Sequence, residues 1–343
     1  MPADHLTCLP SVRGSTLAKY ILRRILLMIP TLLAISIVVF IIIQLPPGDF
    51  LTTLLATLGA QGETVDSAAL EALKEQYGLG RPIWEQYYVW MRNILLHWDF
   101  GNSFEYNRPV TEIIGGRIGW TIVISVGSLL LTWAIAFPLG IFSAVRRYSV
   151  SDYLLTLMAF IGLAIPEFMI ALILLYVSFK YFDQSVGGLF SPAYVDAPWS
   201  LARFGDLLTH LWIPIVIVGV ASTAGLLRIM RANLMDELNK PYVVTARSKG
   251  MTERKLLMKY PVRVALNPFV STSGFILPGL VSGETIIGVV LSLPTIGPVL
   301  LRALKSQDMY LAGGIILMLS ALTLIGTLLS DILLAWLDPR IRY

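Results

Sequence analysis

Two carboxylates interrupt otherwise uncharged apolar runs and are the residues best placed to do chemistry there. Glu167 follows Pro166 in GLAIPEFMIA, and Glu284 precedes Thr285 beside glycine in LVSGETIIG. Charged side chains inside apolar spans are rare and often mark solute pathways or proton relays. A pathway role, a helix-packing hydrogen bond and an acid/base pair are all compatible with these two positions.

Motifs for other kinds of chemistry are missing from the sequence. There is no GxxxxGK[ST] loop for ATP phosphates, and neither HExxH nor GxSxG occurs. The one cysteine is Cys8, and the histidines, His5, His97 and His210, have no partner at metal-ligand spacing. Solvated or interfacial histidines are therefore favoured over ligands. We expect no catalytic residue, metal or cofactor in this chain.

Composition indicates that these residues belong to a membrane protein. Of 343 residues, 56% are hydrophobic and only 14% are charged, with a mean hydropathy of +0.72. Soluble domains carry roughly 25% charged residues. The net charge of +4 is modest, so its meaning depends on which apolar segments the basic residues flank.

Six runs are long enough to cross a bilayer, which takes about 20 apolar residues. Because these runs are too long for barrel strands, the sequence predicts an all-α membrane protein with six transmembrane helices. The first run exceeds a typical signal-peptide core and lacks an A-x-A site, which favours a retained anchor over a signal peptide. The predicted spans are 25–45, 118–145, 153–180, 211–230, 264–293 and 309–337.

The distribution of basic residues predicts the orientation. An even number of spans places both termini on one side, and that side carries 17 of the 26 Lys and Arg residues. Most of the other 9 lie in long loops, where charge has little weight. Both termini, an N-terminal tail over 1–24 and a loop over 231–263 are therefore predicted to be cytoplasmic.

The two predicted outer loops differ in character. The first, 46–117, contains helical patterns at 68–77 and 83–96, and its aromatic residues suit helices at the membrane interface, with sugar stacking as an alternative. The second, 181–210, is rich in Gly, Pro and Ser, which predicts irregular structure.

The basic loop between the fourth and fifth spans predicts two short helices. Pro241 suits the first turn of a helix over 242–249, because its missing N–H costs nothing there. Gly250 ends this helix with a left-handed residue and leaves room for the second helix or a partner. Thr252 caps the second helix, which continues until Pro261. The first helix is too short to be stable alone, so we expect it to pack against something.

Three uses of this loop fit its charge: contact with anionic lipid, binding of nucleic acid, and docking of another protein. The loop is attached to a membrane and has few aromatic side chains to stack on bases, which disfavours nucleic acid. Composition alone favours lipid, so the choice depends on the detailed sequence.

The detailed sequence favours docking. The stretch YVVTARSKGMTERKLLMKYPVRVALNP resembles the EAA loop of ABC-transporter permeases, in the variant of the dipeptide/oligopeptide permease family. Three further segments resemble that family in the same order along the chain. They are YILRRILLMIPTLLAISIVVFIIIQLPPGD, YGLGRPIWEQY with WDFGNSF, and SDILLAWLDPRIRY.

The resemblance implies a type I ABC importer permease fold with a permease core over 110–337, in a bacterial or archaeal inner or plasma membrane. It implies that a homologous second permease completes the pathway, that two cytoplasmic ATPases bind ATP and Mg, and that an extracytoplasmic binding protein delivers the solute. We call residues 231–263 the coupling loop. By this resemblance the ATPase-contacting residues are Ala246, Arg247, Ser248, Lys249, Gly250, Met251 and Glu253. The candidate pathway residues, from their place inside apolar spans, are Glu167, Glu284 and Thr285.

The sequence departs from the family pattern near the end of the fifth span. Glu284 replaces a small polar residue, Gly288 a glutamate, Leu291 a phenylalanine and Thr295 a glycine. Peptides are the expected solute, but these changes leave oligosaccharides, opines and nickel as alternatives. A membrane enzyme that uses both intramembrane carboxylates and a scaffold that binds through its outer loop are alternatives of a different class.

Overall fold

The computed structural model describes residues 12–44, 82–182 and 187–337. In these ranges the chain is helical and forms no strand, apart from one isolated bridge between Asn102 and Pro109. The all-α prediction is therefore confirmed for this part of the chain. The helices are α1 (Val12–Gln44), α2 (Ile83–His97), α3 (Val110–Val145), α4 (Val150–Ala164), α5 (Glu167–Phe182), α6 (Leu201–Leu238), α7 (Pro241–Ser248), α8 (Glu253–Lys259), α9 (Pro261–Val290), α10 (Ile296–Lys305) and α11 (Met309–Leu337).

Among the described residues, four helices are long and apolar enough to cross a membrane, namely α1, α3, α6 and α11. A fifth span results if α4 and α5 are counted together, although they meet at an angle of 93°. The bend interrupts the predicted span 153–180 at Pro166, because a proline cannot continue the helical hydrogen bonds and forces the preceding residue towards extended backbone. Ile165 accordingly has φ −86° and ψ 122°.

Several helices begin earlier than the predicted spans, and two of these starts lie in segments predicted to be a tail or a loop without helix. α1 begins at Val12, so helix extends into the predicted tail 1–24. α6 begins at Leu201, so the prediction of irregular structure is wrong for 201–210. The hydroxyl of Ser200 accepts a hydrogen bond from the Arg203 N–H at 3.2 Å and so caps the helix at this earlier position.

The helix predicted over 83–96 is α2, whereas the helix predicted over 68–77 lies outside the described residues. The aromatic side chains of α2 occupy two environments. Trp84 and Tyr88 are exposed, as expected at a membrane interface. Trp90 is buried, and its indole N–H donates to the Phe100 carbonyl at 3.3 Å. One face of α2 therefore packs on the bundle.

The most extensive helix pair is α3 with α6, and small residues let the two helices approach closely. A Cβ at Gly140 would lie only 2.7 Å from the Cβ of Met230. The Ser128 hydroxyl donates to the Ile215 carbonyl at 3.1 Å. Such contacts are typical of membrane helices, which associate through close packing and hydrogen bonds. At 1.5 Å per residue, α6 is roughly 57 Å long, so it extends from one end of the bundle into the coupling loop at the other.

The outside of the bundle is apolar. Leu130, Met158 and Phe179 are examples of large side chains that are more than half exposed. A soluble monomer rarely presents such a continuous apolar surface, whereas lipid tails solvate it without cost. The surface therefore agrees with the composition in indicating a multi-pass membrane protein.

The sequence did not predict α10. Its first N–H, that of Ile296, donates to the Thr121 hydroxyl of α3 at 3.0 Å. This bond satisfies one of the N–H groups that a helix start leaves without a partner. Gly297 lets α10 lie directly on α9, because a Cβ there would come within 2.6 Å of the Thr285 Cα. The bond between Ile296 and Thr121 joins residues 175 positions apart in the sequence.

Candidate functional site

The coupling loop folds locally much as the sequence predicts. α7 has Pro241 at its first turn and ends at Ser248, one residue earlier at each end than predicted. Gly250 then has a φ of +77°, in the left-handed region. Its N–H donates to the Arg247 carbonyl at 3.0 Å and so helps to satisfy the helix end.

Backbone conformation, rather than crowding by the second helix, requires glycine at position 250. A Cβ built on Gly250 would meet no atom of the described chain within 4 Å. Of the two expectations for Gly250, room for the second helix is therefore wrong, and room for a partner stays a prediction. A residue with a Cβ costs about 1 to 2 kcal/mol more in this left-handed conformation.

A small apolar cluster joins the two short helices. Val243 and Ala246 of α7 and Leu256 of α8 are buried, and Met251 and Tyr260 pack against them. This cluster gives the short α7 the packing partner that its stability requires. The two helices therefore form one compact unit between the ends of α6 and α9.

The start of α8 differs in one detail from the prediction. Thr252 occupies the N-cap position, but its side chain makes no capping hydrogen bond. Instead, Glu253 at the first position of α8 accepts from Arg247 of α7 at 2.5 Å and 3.1 Å. This hydrogen-bonded ion pair raises the pKa of the Arg247 guanidinium and lowers that of the Glu253 carboxyl. The pair therefore links the end of α7 to the start of α8 on the exposed surface of the turn.

The predicted ATPase-contacting residues divide into two groups. Ala246 is buried and Met251 is partly buried, so both help to hold the loop together. The other five are exposed, and they are Arg247, Ser248, Lys249, Gly250 and Glu253. Sequence reasoning missed Val244, an apolar side chain of α7 that is 54% exposed. An exposed valine beside these charged residues makes this face of α7 amphipathic.

Polar contacts connect this unit to the rest of the chain. The Tyr242 hydroxyl donates to Glu237 at the end of α6 at 2.5 Å. Burial, together with this carboxylate, raises the pKa of the Tyr242 hydroxyl, which therefore stays protonated. A cavity of about 470 Å³ lies between the coupling loop and the ends of α3 and α6, and it is lined by Arg147, Arg247 and Arg254 together with Glu253.

A buried ion pair fixes the end of α6 that carries the coupling loop. Arg231 donates twice to Asp152 of α4, at 2.8 Å and 2.7 Å. Asp152 is fully buried and also accepts from the Ser143 hydroxyl of α3 and from the Tyr148 N–H. One carboxylate therefore connects three helices. Fork-shaped pairs of this kind fix orientation as well as distance.

The candidate pathway residues lie in different surroundings. Glu167 is the first residue of α5 and is partly buried. Glu284 is 1% exposed, and neither of its oxygens has a hydrogen-bond partner among the described residues. Thr285 packs against Gly297 of α10. Glu167 and Glu284 lie on different helices, α5 and α9, and among the described residues no hydrogen bond joins them.

The histidines also differ from one another. His97 is exposed at the end of α2, as expected, and His5 lies outside the described residues. His210 is buried, and its Nδ1 lies 2.9 Å from the Asp206 carbonyl oxygen, so the prediction of a solvated side chain is wrong for this residue. Across the described ranges, no three His, Cys, Asp or Glu side chains are grouped as metal ligands would be.

Comparison with known proteins agrees with the family resemblance. Residues 136–343 match the family described as binding-protein-dependent transport system inner membrane component, and residues 17–125 match the N-terminal part of such membrane components. The chain is 35% identical to the oligopeptide transport system permease protein of Bacillus subtilis, over 95% of this chain and 100% of that protein.

Two further relatives have similar coverage. A protein described as a peptide permease in Brucella ovis is 33% identical, over 94% of this chain and 99% of its own length. The nickel import system permease protein of Staphylococcus aureus is 29% identical, over 94% of this chain and 92% of its own length. The predicted resemblance is therefore confirmed along nearly the whole chain.

Proposed function

Because the chain belongs to the family of inner membrane components of binding-protein-dependent transport systems, we propose that it forms half of the pathway of an ATP-driven importer. In this proposal the exposed face of α7 docks on an ATPase. The observation that carries the proposal is the compact two-helix unit between α6 and α9, with Gly250 at its turn and its exposed residues on one side. The chain itself is not an ATPase, and ATP and Mg are bound by partner subunits.

The connections of the coupling loop support a mechanical role. The chain connects α7 directly to α6 and, through α8, to α9. Arg231 of α6 is in turn bonded to Asp152 of α4, so a movement of α7 is transmitted to these three helices. A unit held by a buried cluster and an ion pair moves as one body rather than deforming. Closure of the ATPases can then bias the pathway between outward-open and inward-open states.

The proposed assembly follows the family expectation. A homologous second permease completes the pathway, two ATPases bind on the cytoplasmic side, and a solute-binding protein delivers the solute from outside. In the proposed six-span arrangement the 30-residue α9 is the fifth span and the bent α4–α5 pair is the third. Both termini are then on one side of the membrane, and the excess of basic residues on that side favours the cytoplasm. Glu167, Glu284 and Thr285 remain candidates for the pathway, and the buried Glu284 would contact the solute only after α9 moves.

Peptides are the proposed cargo. The names of the Bacillus subtilis and Brucella ovis relatives favour peptide transport, whereas that of the Staphylococcus aureus relative favours nickel. The higher identities fall on the peptide side. Oligosaccharides and opines stay as alternatives, and a binding screen of the cognate binding protein would discriminate among these classes.

A pair of matched variants tests docking. Val244→Glu puts a charge on the exposed face of α7, while Met258→Glu makes the same kind of change at an equally exposed position of α8. Val244→Glu should reduce recovery of the ATPases with the purified chain about tenfold, because it places a carboxylate in an apolar contact. Met258→Glu should leave that recovery nearly unchanged. Equal recovery for both variants and the unaltered chain would refute docking through α7.

A further inference from the structure

The end of the bundle opposite the coupling loop contains a cavity whose charged lining residues are all basic. It has a volume of about 690 Å³ and lies between the start of α3, the end of α9 and α10. Arg117, Arg302 and Lys305 line it, and no aspartate or glutamate does. We call it the far-end cavity. Its volume is within the range of about 300 to 1,000 Å³ that is usual for small-molecule sites.

Two of these cations share one aromatic ring. The guanidinium carbon of Arg117 lies 5.8 Å from the centroid of the Tyr106 ring, and that of Arg302 lies 6.0 Å from the same centroid. The two residues come from different helices and are far apart in sequence. The tyrosine thus brings two like charges together at the wall of one cavity, where they repel each other.

None of the three cations has a carboxylate partner within the described ranges. Arg117 donates to the Ile113 carbonyl of its own helix at 3.0 Å. The nearest acid along the chain from Lys305 is Asp308, which is buried and accepts from the Ser103 hydroxyl at 2.5 Å. Backbone N–H groups bind the same carboxylate, so it is not available to neutralise the cavity.

Helix stability explains the position of two of the three cations. Arg302 and Lys305 lie in the last turn of α10, where basic side chains interact favourably with the helix dipole. The dipole does not account for Arg117, which belongs to α3, or for its position against the same ring as Arg302. The convergence of the three charges on one concavity needs a further explanation.

We propose that the far-end cavity binds the carboxylate of the transported solute, and that the solute is a short peptide whose C-terminal carboxylate is held by Arg302, Lys305 and Arg117. Guanidinium groups suit a carboxylate because their N–H groups match its two oxygens. Apolar lining residues, among them Val289, Leu293 and Val299, can contact the rest of the peptide. This inference rests on the proposed transport function and adds the chemical feature of the solute that is recognised.

The test uses the complete transporter with its binding protein in proteoliposomes. The probes are radiolabelled trialanine and trialanine with an amidated C-terminus, which lacks the negative charge. Binding of each probe to the isolated binding protein is measured separately, so that selectivity of the binding protein is factored out. Arg302→Gln with Lys305→Gln removes two exposed charges, and Arg302→Lys with unaltered Lys305 keeps them.

The double variant should lower uptake of the free acid about tenfold while leaving uptake of the amide unchanged, since a lost charged hydrogen bond has about this effect. Arg302→Lys keeps the charge but loses the fork of N–H groups, so it should retain more uptake of the free acid than the double variant and less than the unaltered chain. Arg108→Gln is the matched control, because Arg108 is an exposed arginine of the same region that does not line the cavity. Membrane levels and recovery of the ATPases are measured for every variant to detect misfolding.

Other results would overturn the inference. Equal losses in uptake of the acid and the amide would show that the cavity does not recognise the carboxylate. Weaker capture of the unliganded binding protein by the double variant would indicate instead that the cations bind that protein. A wild-type complex that imports neither probe, although its binding protein binds them, would instead refute the proposed peptide cargo. Normal import of the free acid by the double variant would refute only the cavity site.

Discussion

Basic side chains gather at both ends of α9, and the two ends hold them differently. In the coupling loop, Arg247 is bonded to Glu253, and the neighbouring cavity contains that carboxylate as well as its arginines. In the far-end cavity, Arg117 and Arg302 meet at Tyr106 without a carboxylate among the lining residues. The paired charges of the coupling loop can hold its two helices together, whereas the cations of the far-end cavity, which have no carboxylate beside them among the described residues, can bind an anion.

Two arginines of the chain, Arg231 and Arg302, also differ in their partners. Arg231 is bonded twice to the buried Asp152 and so has a structural role that a ligand cannot share. Arg302 is exposed, and its described neighbours offer only an aromatic ring. The partners of each arginine, rather than the local density of charge, therefore indicate its role.

The largest expected effect is at the turn of the coupling loop. Gly250→Trp should abolish substrate-stimulated uptake, because tryptophan is strained at a φ of +77° and places a large side chain on the docking face. Gly250→Asn is the matched control, since asparagine tolerates the left-handed region and should retain much of the activity. Uptake and ATPase activity are measured on the same vesicles. Normal uptake by the tryptophan variant would contradict the proposal that the coupling loop connects ATPase activity to transport.

The second largest expected effect is a loss of stability when Arg231 loses its partner Asp152. Asp152→Ala should destabilise the protein by about 3 kcal/mol, because it leaves Arg231 without its buried partner. The apparent melting temperature of the detergent-solubilised protein measures the loss. Arg108→Ala breaks an exposed pair with Glu112 and should cost less than about 1 kcal/mol. Similar melting temperatures for the two variants would remove the distinction between buried and exposed pairs.

The smallest expected effect is the pH dependence of the coupling-loop ion pair. Since Arg247 lowers the pKa of Glu253 below its ordinary value of 4.5, the pair stabilises the turn above pH 4.5. This stabilisation should disappear as the pH falls through the lowered pKa of the folded state. Hydrogen exchange of the backbone N–H groups in 247–253 should therefore show weaker protection in acid, relative to Glu253→Gln, in which protection lacks this pH dependence. Equal pH dependence in both proteins would contradict the effect.

The coupling loop was largely predictable because its signals are local. Pro241 and Gly250 act on their own backbone, and neither needs a distant contact to favour a helix start or a left-handed end. The ion pair of Arg247 with Glu253 joins residues six apart, yet the sequence did not predict it. Its formation depends on the angle between α7 and α8, which the buried cluster fixes.

The far-end cavity and α10 were not predictable for a related reason. Ile296 finds its hydrogen-bond partner in Thr121, 175 residues away along the chain. In the sequence, 294–308 is a short connection after an apolar span, and its basic residues fit an ordinary loop. Only packing of α10 across α9 and α3 brings Arg302 and Arg117 to one tyrosine.

The sequence by itself determined the membrane environment, the helical class, the two helices of the coupling loop and the family. These properties follow from apolar run length, from backbone sterics at proline and glycine, and from motifs in order. Tertiary structure alone decided that Asp152 pairs with Arg231, that Glu284 is buried, and that three cations surround one cavity. Such outcomes depend on which distant helix surfaces meet, and packing against several neighbours at once selects among the many pairings that one chain allows.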